Sequence, residues 1–249
     1  MSDRPDMPTG QQDEDFVDQE SGPQPIFNLP TAMVVTVALL VAIYVVDAYL
    51  LSNASREWLL VEFAFTPLRY VFPLSEQGFE WLWTPVTYSL MHGSIGHIGF
   101  NIAWLLIFGA PVLRRIGTAR YLVFWVLSAA ASAFFHAAIN WGEPTVLIGA
   151  SGAISALMGA ALRFAFPPGN MYEGGHGGAF GHIFPRQTIF GALRSRTVVV
   201  FLTIWFLTNL AFGLGWMLYE NGDDAIAWDA HIGGFLFGYL LFGLFDRVR

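Results

Sequence analysis

A serine set among small residues opens an apolar segment that runs from Ala150 to Phe166, within Ile148-Gly149-Ala150-Ser151-Gly152-Ala153-Ile154-Ser155. Glycine has no side chain to hold another backbone away, and a hydroxyl that attacks a peptide carbonyl needs that close approach. The same Gly-x-Ser-Gly spacing also occurs where two membrane helices pack tightly, so the serine alone decides nothing. Its possible partners are His231, in Ala230-His231-Ile232-Gly233-Gly234, and the group His92, His97 and Asn101. A histidine within reach of a serine can take its proton as general base. An amide and an imidazole N–H can stabilise the oxyanion that acyl transfer creates. These residue types point to serine-dependent acyl transfer.

The elements that must position them are membrane helices. The chain has 249 residues, 55% of them hydrophobic and only 12% charged, too apolar for a soluble domain. Absence of cysteine removes disulfides, thiol nucleophiles and thiolate metal sites together. The net charge of -7 comes largely from the amino-terminal tail and gives no sign of a nucleic-acid partner. Residues 1–30 hold five Pro, two Gly and seven acidic residues against one basic, Arg4; such a segment buries too little apolar surface to offset its ordering entropy and is expected to be a disordered, solvated acidic tail. It lacks the basic start and apolar core of a secretory signal.

Thr31–Leu51 has the length needed to cross the ~30 Å hydrocarbon core. Residues 52–91 follow as a connection rich in Phe, Trp, Leu and Pro, which suits the membrane interface and is expected to form short helices partly in the membrane. Five more apolar stretches lie at 95–113, 119–139, 150–166, 197–219 and 228–245, so the expected fold is an all-α polytopic membrane protein of six transmembrane helices, residues 31–249. The second and fourth stretches are short, and their starts are expected below the surface, in protein or a wet cavity. Residues 167–196 read as a Gly-rich inner loop, a linker rather than a metal site despite His176 and His182.

All basic residues are arginine. With the amino terminus inside, Arg4, Arg114, Arg115, Arg120, Arg163, Arg186, Arg194, Arg196, Arg247 and Arg249 are cytoplasmic and only Arg56 and Arg69 lie outside. Both termini are then cytoplasmic, with outer loops at 52–94, 140–149 and 220–227. Ser151, His231 and the group His92, His97, Asn101 fall in one leaflet, where polar groups are costly and are functional candidates. Small residues recur at Gly152, Ala156 and Gly159 on the fourth helix and at Gly234 and Gly238 below His231 on the sixth. Such stripes let helices approach closely, and pairing them brings Ser151 towards His231. Asn101, His97 four residues before it on the same face, and the Ser151 N–H at a helix start are candidate oxyanion donors. No Asp or Glu is evident behind His231, since Asp229 is expected to face the outer water; a Ser–His dyad is the simplest arrangement. His136 and Ser155 are read as structural, and His92 as a residue that shapes or hydrates the site.

The pattern His92-x4-His97-x3-Asn101, then Gly149-Ala150-Ser151-Gly152, then Ala230-His231-x2-Gly234-x3-Gly238 resembles the rhomboid intramembrane serine proteases, over about residues 32–246. The resemblance implies a six-helix rhomboid core with a membrane-embedded first loop, Ser151 as nucleophile and His231 as general base. It implies that Asn101, His97 and the Ser151 amide bind the oxyanion, with no cofactor and no metal. The implied partners are single-pass transmembrane protein substrates and the lipid bilayer; no feature specifies an oligomeric state. It further implies that the fifth helix and the outer loop before the sixth gate substrate entry. A bacterial inner membrane is the expected location. Two positions depart from the family's habit: Trp83-Thr84 where Trp-Arg is common in the first loop, and Leu113 where a glutamate often follows the second helix. Both bear on loop anchoring and inner-end packing rather than on the dyad. Two other functions stay open from the residues alone. One is a rhomboid-like protein that binds membrane clients without cutting them, motivated by those departures. The other is a transporter or metal permease built on His92, His97, His136 and Asn101, against which stands the lack of mid-helix acids and of His-x3-His spacing.

Overall fold

The computed structural model describes residues 29–166, 184–214, 216 and 227–247. The acidic tail up to residue 28, His176 and His182, and residues 220–226 of the loop expected at 220–227 lie outside the described residues.

Four helices are long and apolar enough to cross a membrane: α1 (Thr31–Leu50), α4 (Ile95–Ile116), α5 (Thr118–Ile139) and α7 (Arg196–Gly213). Between α1 and α4 come α2 (Asn53–Phe63) and α3 (Glu80–Thr87), and the remaining two principal helices are α6 (Ser151–Ala161) and α8 (Trp228–Leu241), the latter continued by a 3-10 turn over Phe242–Leu244. The protein is therefore an all-helical integral membrane protein. Its outward faces fit lipid: α1 buries Met33, Leu40 and Tyr44 and turns Val34, Val35 and Leu39 outward, while α7 exposes Ile204, Phe206 and Leu207.

Helix lengths correct the expectation in one place. The second apolar stretch continues to Ile116 and reaches 22 residues, so it is not short. Pro111 lies within it, having no N–H to give and a ring that crowds the carbonyl four residues back; the chain meets this with a π-helical turn over Leu105–Gly109. The fourth is short, as expected: α6 has 11 residues, about 16 Å at 1.5 Å per residue, roughly half of a hydrocarbon core. Every residue from Gly152 to Ala161 is buried, so α6 is the central helix and the others surround it.

α6 tolerates this position because its residues are small. α8 lies against it so closely that a Cβ at Gly234 would overlap the Gly152 carbonyl, and one at Gly238 would overlap the Ala156 carbonyl. Gly152 also faces the Ser132 hydroxyl of α5. Within lipid no hydrophobic force drives helices together, so van der Waals contact between backbones takes its place.

The first loop is tied to itself rather than loose. Arg69 pairs with Glu80 at 3.1 Å and donates to the Val61 carbonyl at 2.7 Å. The Trp83 indole donates to the Glu62 carbonyl at 2.7 Å, and the Thr87 hydroxyl to the Phe63 carbonyl at 2.9 Å. Trp83 therefore anchors the loop, while Thr84 is a small buried residue beside it. Asp47, near the end of α1, pairs with Arg56 of α2 at 3.3 Å. Near the carboxyl end of α4 Leu113 is buried in the apolar core, and the polar tie there is Arg115, whose guanidinium grips Asp246 through Nε–Oδ1 at 3.0 Å and Nη2–Oδ2 at 2.9 Å.

The α6–α8 contact predicts a contrast between two glycines. Gly238→Ala forces a methyl into a backbone carbonyl and is expected to cost about 1–3 kcal/mol. Gly96→Ala, in open space on α4, should leave stability unchanged or raise it by up to about 1 kcal/mol through helix propensity. Thermal unfolding in detergent of the two variants beside the wild type measures the difference, and equal midpoints would contradict the contact.

Candidate active site

Ser151 is the first residue of α6, and the segment leading to it is clamped on both sides. Leu147 forms an antiparallel bridge with Phe65 of the first loop, with N–H···O distances of 2.8 and 3.1 Å. The Gly149 N–H donates to the Tyr88 carbonyl at 2.9 Å, and the Tyr88 hydroxyl donates to the Ala129 carbonyl of α5 at 3.0 Å. Gly149 has φ +113°, a backbone conformation that a side chain disfavours. Space forbids one as well, because a Cβ there would overlap the His97 ring and lie 3.8 Å from Asn101 Nδ2. Gly149, two residues before Ser151, thus passes against the His97 imidazole and close to the Asn101 amide of α4.

α4 presents those groups from its first two turns. Ser94 caps the helix, its hydroxyl accepting from the His97 N–H at 3.2 Å, which fixes where His97 begins. Asn101 follows one turn later on the same face. It is 2% exposed, and its Nδ2 makes no hydrogen bond among the described residues. A buried amide N–H without an acceptor costs about 1–3 kcal/mol, so its position beside Gly149 calls for a reason. His92 is buried against His97, ring centroids 5.1 Å apart, with neither ring nitrogen in a hydrogen bond of good geometry among the described residues. Burial first, and the neighbouring His97 second, hold its pKa down to about 3, so it is neutral.

His231 enters from α8. It lies three residues before Gly234, one turn towards the amino end on the same face, and Gly234 touches Gly152. Ser151 immediately precedes Gly152, so Ser151 and His231 stand at the head of the same helix–helix seam. Among the described residues no hydrogen bond joins the Ser151 hydroxyl to His231; catalytic bonds are commonly long before substrate arrives. His231 Nδ1 instead lies 2.8 Å from Oδ1 of Asn209 on α7.

Asp229 does not face the outer water. It is 3% exposed. One carboxylate oxygen lies 2.8 Å from His136 Nδ1 and accepts the Ala230 N–H at 2.7 Å, and the other accepts from Asn140 Nδ2. His136 Nε2 meets the Thr145 hydroxyl at 2.9 Å, and Ser132 donates to the Ala230 carbonyl at 2.6 Å. This network joins the end of α5, the loop before Ser151 and the start of α8. His136 is its hub, a structural role. Two features escaped sequence reasoning. Asn209 is a polar residue inside an apolar run, the same signal that marked Asn101. The Asp229–His136 pair carries no spacing signal, because the two lie 93 residues apart.

A cleft of about 290 Å³ is lined by Asp47, Asn53, Arg56, Met91, His92 and Ile148 among others. Among the described residues no cluster of three His, Cys, Asp or Glu side chains is placed to hold a metal ion.

Comparison with known proteins places this architecture. Residues 80–247 match the Rhomboid domain family. The Rhomboid protease GlpG of Pectobacterium atrosepticum is 38% identical over 88 residues, 35% of this chain and 30% of the relative. That of Haemophilus influenzae is 28% identical over 88 residues, 35% of this chain and 44% of the relative. That of Serratia proteamaculans is 24% identical over 204 residues, 82% of this chain and 59% of the relative. The matches therefore span less than two thirds of the length of these curated relatives.

The buried network yields a stability prediction. His136→Leu leaves the Asp229 carboxylate buried without its main partner and should cost about 3–5 kcal/mol. Replacing both, His136→Leu with Asp229→Leu, should recover much of that loss, since no buried charge is left unpaired. Thermal unfolding of the single and double variants decides it; a double variant that loses the sum of two full penalties would contradict the pairing.

Proposed function

Because the chain belongs to the Rhomboid family, we propose that it is an intramembrane serine endopeptidase that cuts transmembrane protein substrates in or near the membrane. The observation that carries this is the buried Asn101 amide, without an acceptor, set with His97 against Gly149 two residues before Ser151. The Asn101 amide in that position suits an oxyanion formed at Ser151 and has no structural use among the described residues.

In the proposed core, α6 and α8 complete six membrane helices together with the four long ones, both termini are cytoplasmic, and the membrane is a bacterial inner membrane. The proposed partners are single-pass transmembrane proteins, whose helix unwinds locally to expose one peptide bond. His231 Nε2 takes the Ser151 proton as Oγ bonds to the carbonyl carbon, and the carbonyl oxygen becomes an oxyanion. Asn101 Nδ2, the His97 ring N–H and the Ser151 backbone N–H hold that charge, helped by the positive end of the α6 dipole. His231 then gives its proton to the leaving amine, and the acyl-enzyme forms. In this reading water comes to the site past His92, from the cleft that His92 and Ile148 line. His231 takes its proton, hydroxide adds to the acyl carbon, and Ser151 leaves with the proton restored.

The deciding measurement is cleavage of a fluorescent transmembrane substrate by purified protein in liposomes, alongside labelling by a fluorophosphonate. Ser151→Ala and His231→Ala should abolish both. Asn101→Ala should lower kcat by about 10²–10³ with little change in KM, the usual effect of losing one oxyanion donor. Cleavage by Ser151→Ala at the wild-type rate would overturn the assignment, and absence of both cleavage and labelling in every sample would favour a client-binding protein.

A further inference from the structure

A general base needs its free lone pair aimed at the nucleophile, and in a neutral imidazole that is set by what the other nitrogen does. The other nitrogen of His231 is Nδ1, and it meets Asn209 Oδ1 at 2.8 Å. Which way the Asn209 amide points is settled by its opposite end, where Nδ2 donates to the Trp205 carbonyl one turn back at 2.8 Å. With the NH₂ group engaged there, the group facing His231 is the carbonyl oxygen, which accepts only. The hydrogen therefore sits on Nδ1, and Nε2 keeps the lone pair.

The surroundings of Asn209 set it apart from a polar residue merely satisfied within its own helix. Thr203 and Thr208, also on α7, each turn their hydroxyl back to a carbonyl four residues earlier, at 2.9 Å. Asn209 does this with its donor alone and lends its acceptor to α8. It is also one of only two buried residues that α7 has, the other being Val198. Asp229, the nearest acid in sequence, is not available to His231, because its oxygens are taken by His136, Asn140 and the Ala230 N–H.

We propose that Asn209 is a positioning residue for the Ser151–His231 reaction, holding the His231 imidazole in the Nδ1–H tautomer with Nε2 directed to the α6–α8 seam where Ser151 stands. This rests on the assignment of His231 as general base. The catalytic unit then extends across three helices, with α7 supplying the third member through a neutral amide instead of a carboxylate. A neutral acceptor orients the ring without adding a charge to be desolvated inside the membrane.

The test uses the full-length protein with Asn209→Leu and Asn209→Asp beside the wild type, Ser151→Ala and His231→Ala. Asn209→Leu should lower kcat and the fluorophosphonate labelling rate about 10- to 100-fold with KM within about twofold, less than the ~10⁴-fold loss seen where a buried carboxylate orients the base. Asn209→Asp, which keeps an acceptor oxygen, should restore most of the rate. ¹⁵N chemical shifts of the His231 ring, assigned by their loss in His231→Ala, should show Nδ1–H in the wild type and a mixture with Nε2–H in Asn209→Leu. Thermal unfolding of each variant separates loss of fold from loss of orientation, and the Asn209→Asp rescue does so a second time. A wild-type ring found as Nε2–H, or Asn209→Leu labelled as fast as wild type, overturns the proposal. Labelling that needs neither Ser151 nor His231 overturns the protease assignment and this proposal with it; that outcome is distinct from a wild type that depends on both residues and an Asn209→Leu variant that matches it.

Discussion

Two backbones touch where α6 meets α8, and the rest of the site is arranged around that contact. Gly234 lies on the Gly152 carbonyl and Gly238 on the Ala156 carbonyl, with no side chains between them. Lipid tails offer helices no hydrophobic reason to associate, so the attraction is dispersion between closely fitted surfaces. Its consequence is register: once Gly152 and Gly234 are in contact, the heights of Ser151 and His231 along their helices are settled together. Small rearrangements are resisted because backbone, unlike a flexible side chain, has nowhere to yield.

Around this seam the buried polar groups divide into two kinds. Those that hold elements together are satisfied: His136 with Asp229 and Thr145, Ser132 with the Ala230 carbonyl, Tyr88 with Ala129 and Gly149. Two residues are not: Asn101 Nδ2, close to Gly149, and both His92 nitrogens have no acceptor or donor of good geometry among the described residues. Unsatisfied polar atoms inside a protein are costly, and for Asn101 that cost falls close to Gly149, two residues before Ser151. Donors fixed in advance stabilise developing charge without having to reorganise. The satisfied network supplies the stiffness that keeps the unsatisfied donors in place.

The first loop serves the same end from outside the seam. Its bridge from Phe65 to Leu147 and the Tyr88 carbonyl on Gly149 hold the strand that delivers Ser151. Arg69, Trp83 and Thr87 stiffen the loop by reaching backbone carbonyls within it. At the opposite end of the helices Arg115 pairs with Asp246, and Arg163 donates to the carbonyls of Gln187 and Tyr239. These arginine contacts thus tie the helices together near their ends.

Much of this was legible in the linear chain. Uninterrupted apolar runs disclosed the helices because backbone groups in lipid must bond within their own segment. The small-residue stripes disclosed which two helices could approach, and isolated polar residues singled out His97, Asn101, Ser151 and His231, because burying them is expensive enough to need a reason. Pro111 within α4, absorbed by a π turn, and Asp229, turned inward, show where such inference stops. Whether a carboxylate near a helix start meets water or a buried histidine depends on a residue 93 positions away, and periodicity carries no information about that separation. The role of Asn209 likewise depends on which end of its amide the Trp205 carbonyl occupies. Composition and local spacing determined what the chain had to bury; the tertiary structure alone decided which buried donor meets which acceptor, because hydrogen bonds depend on distance and direction, and helices distant in sequence supply both.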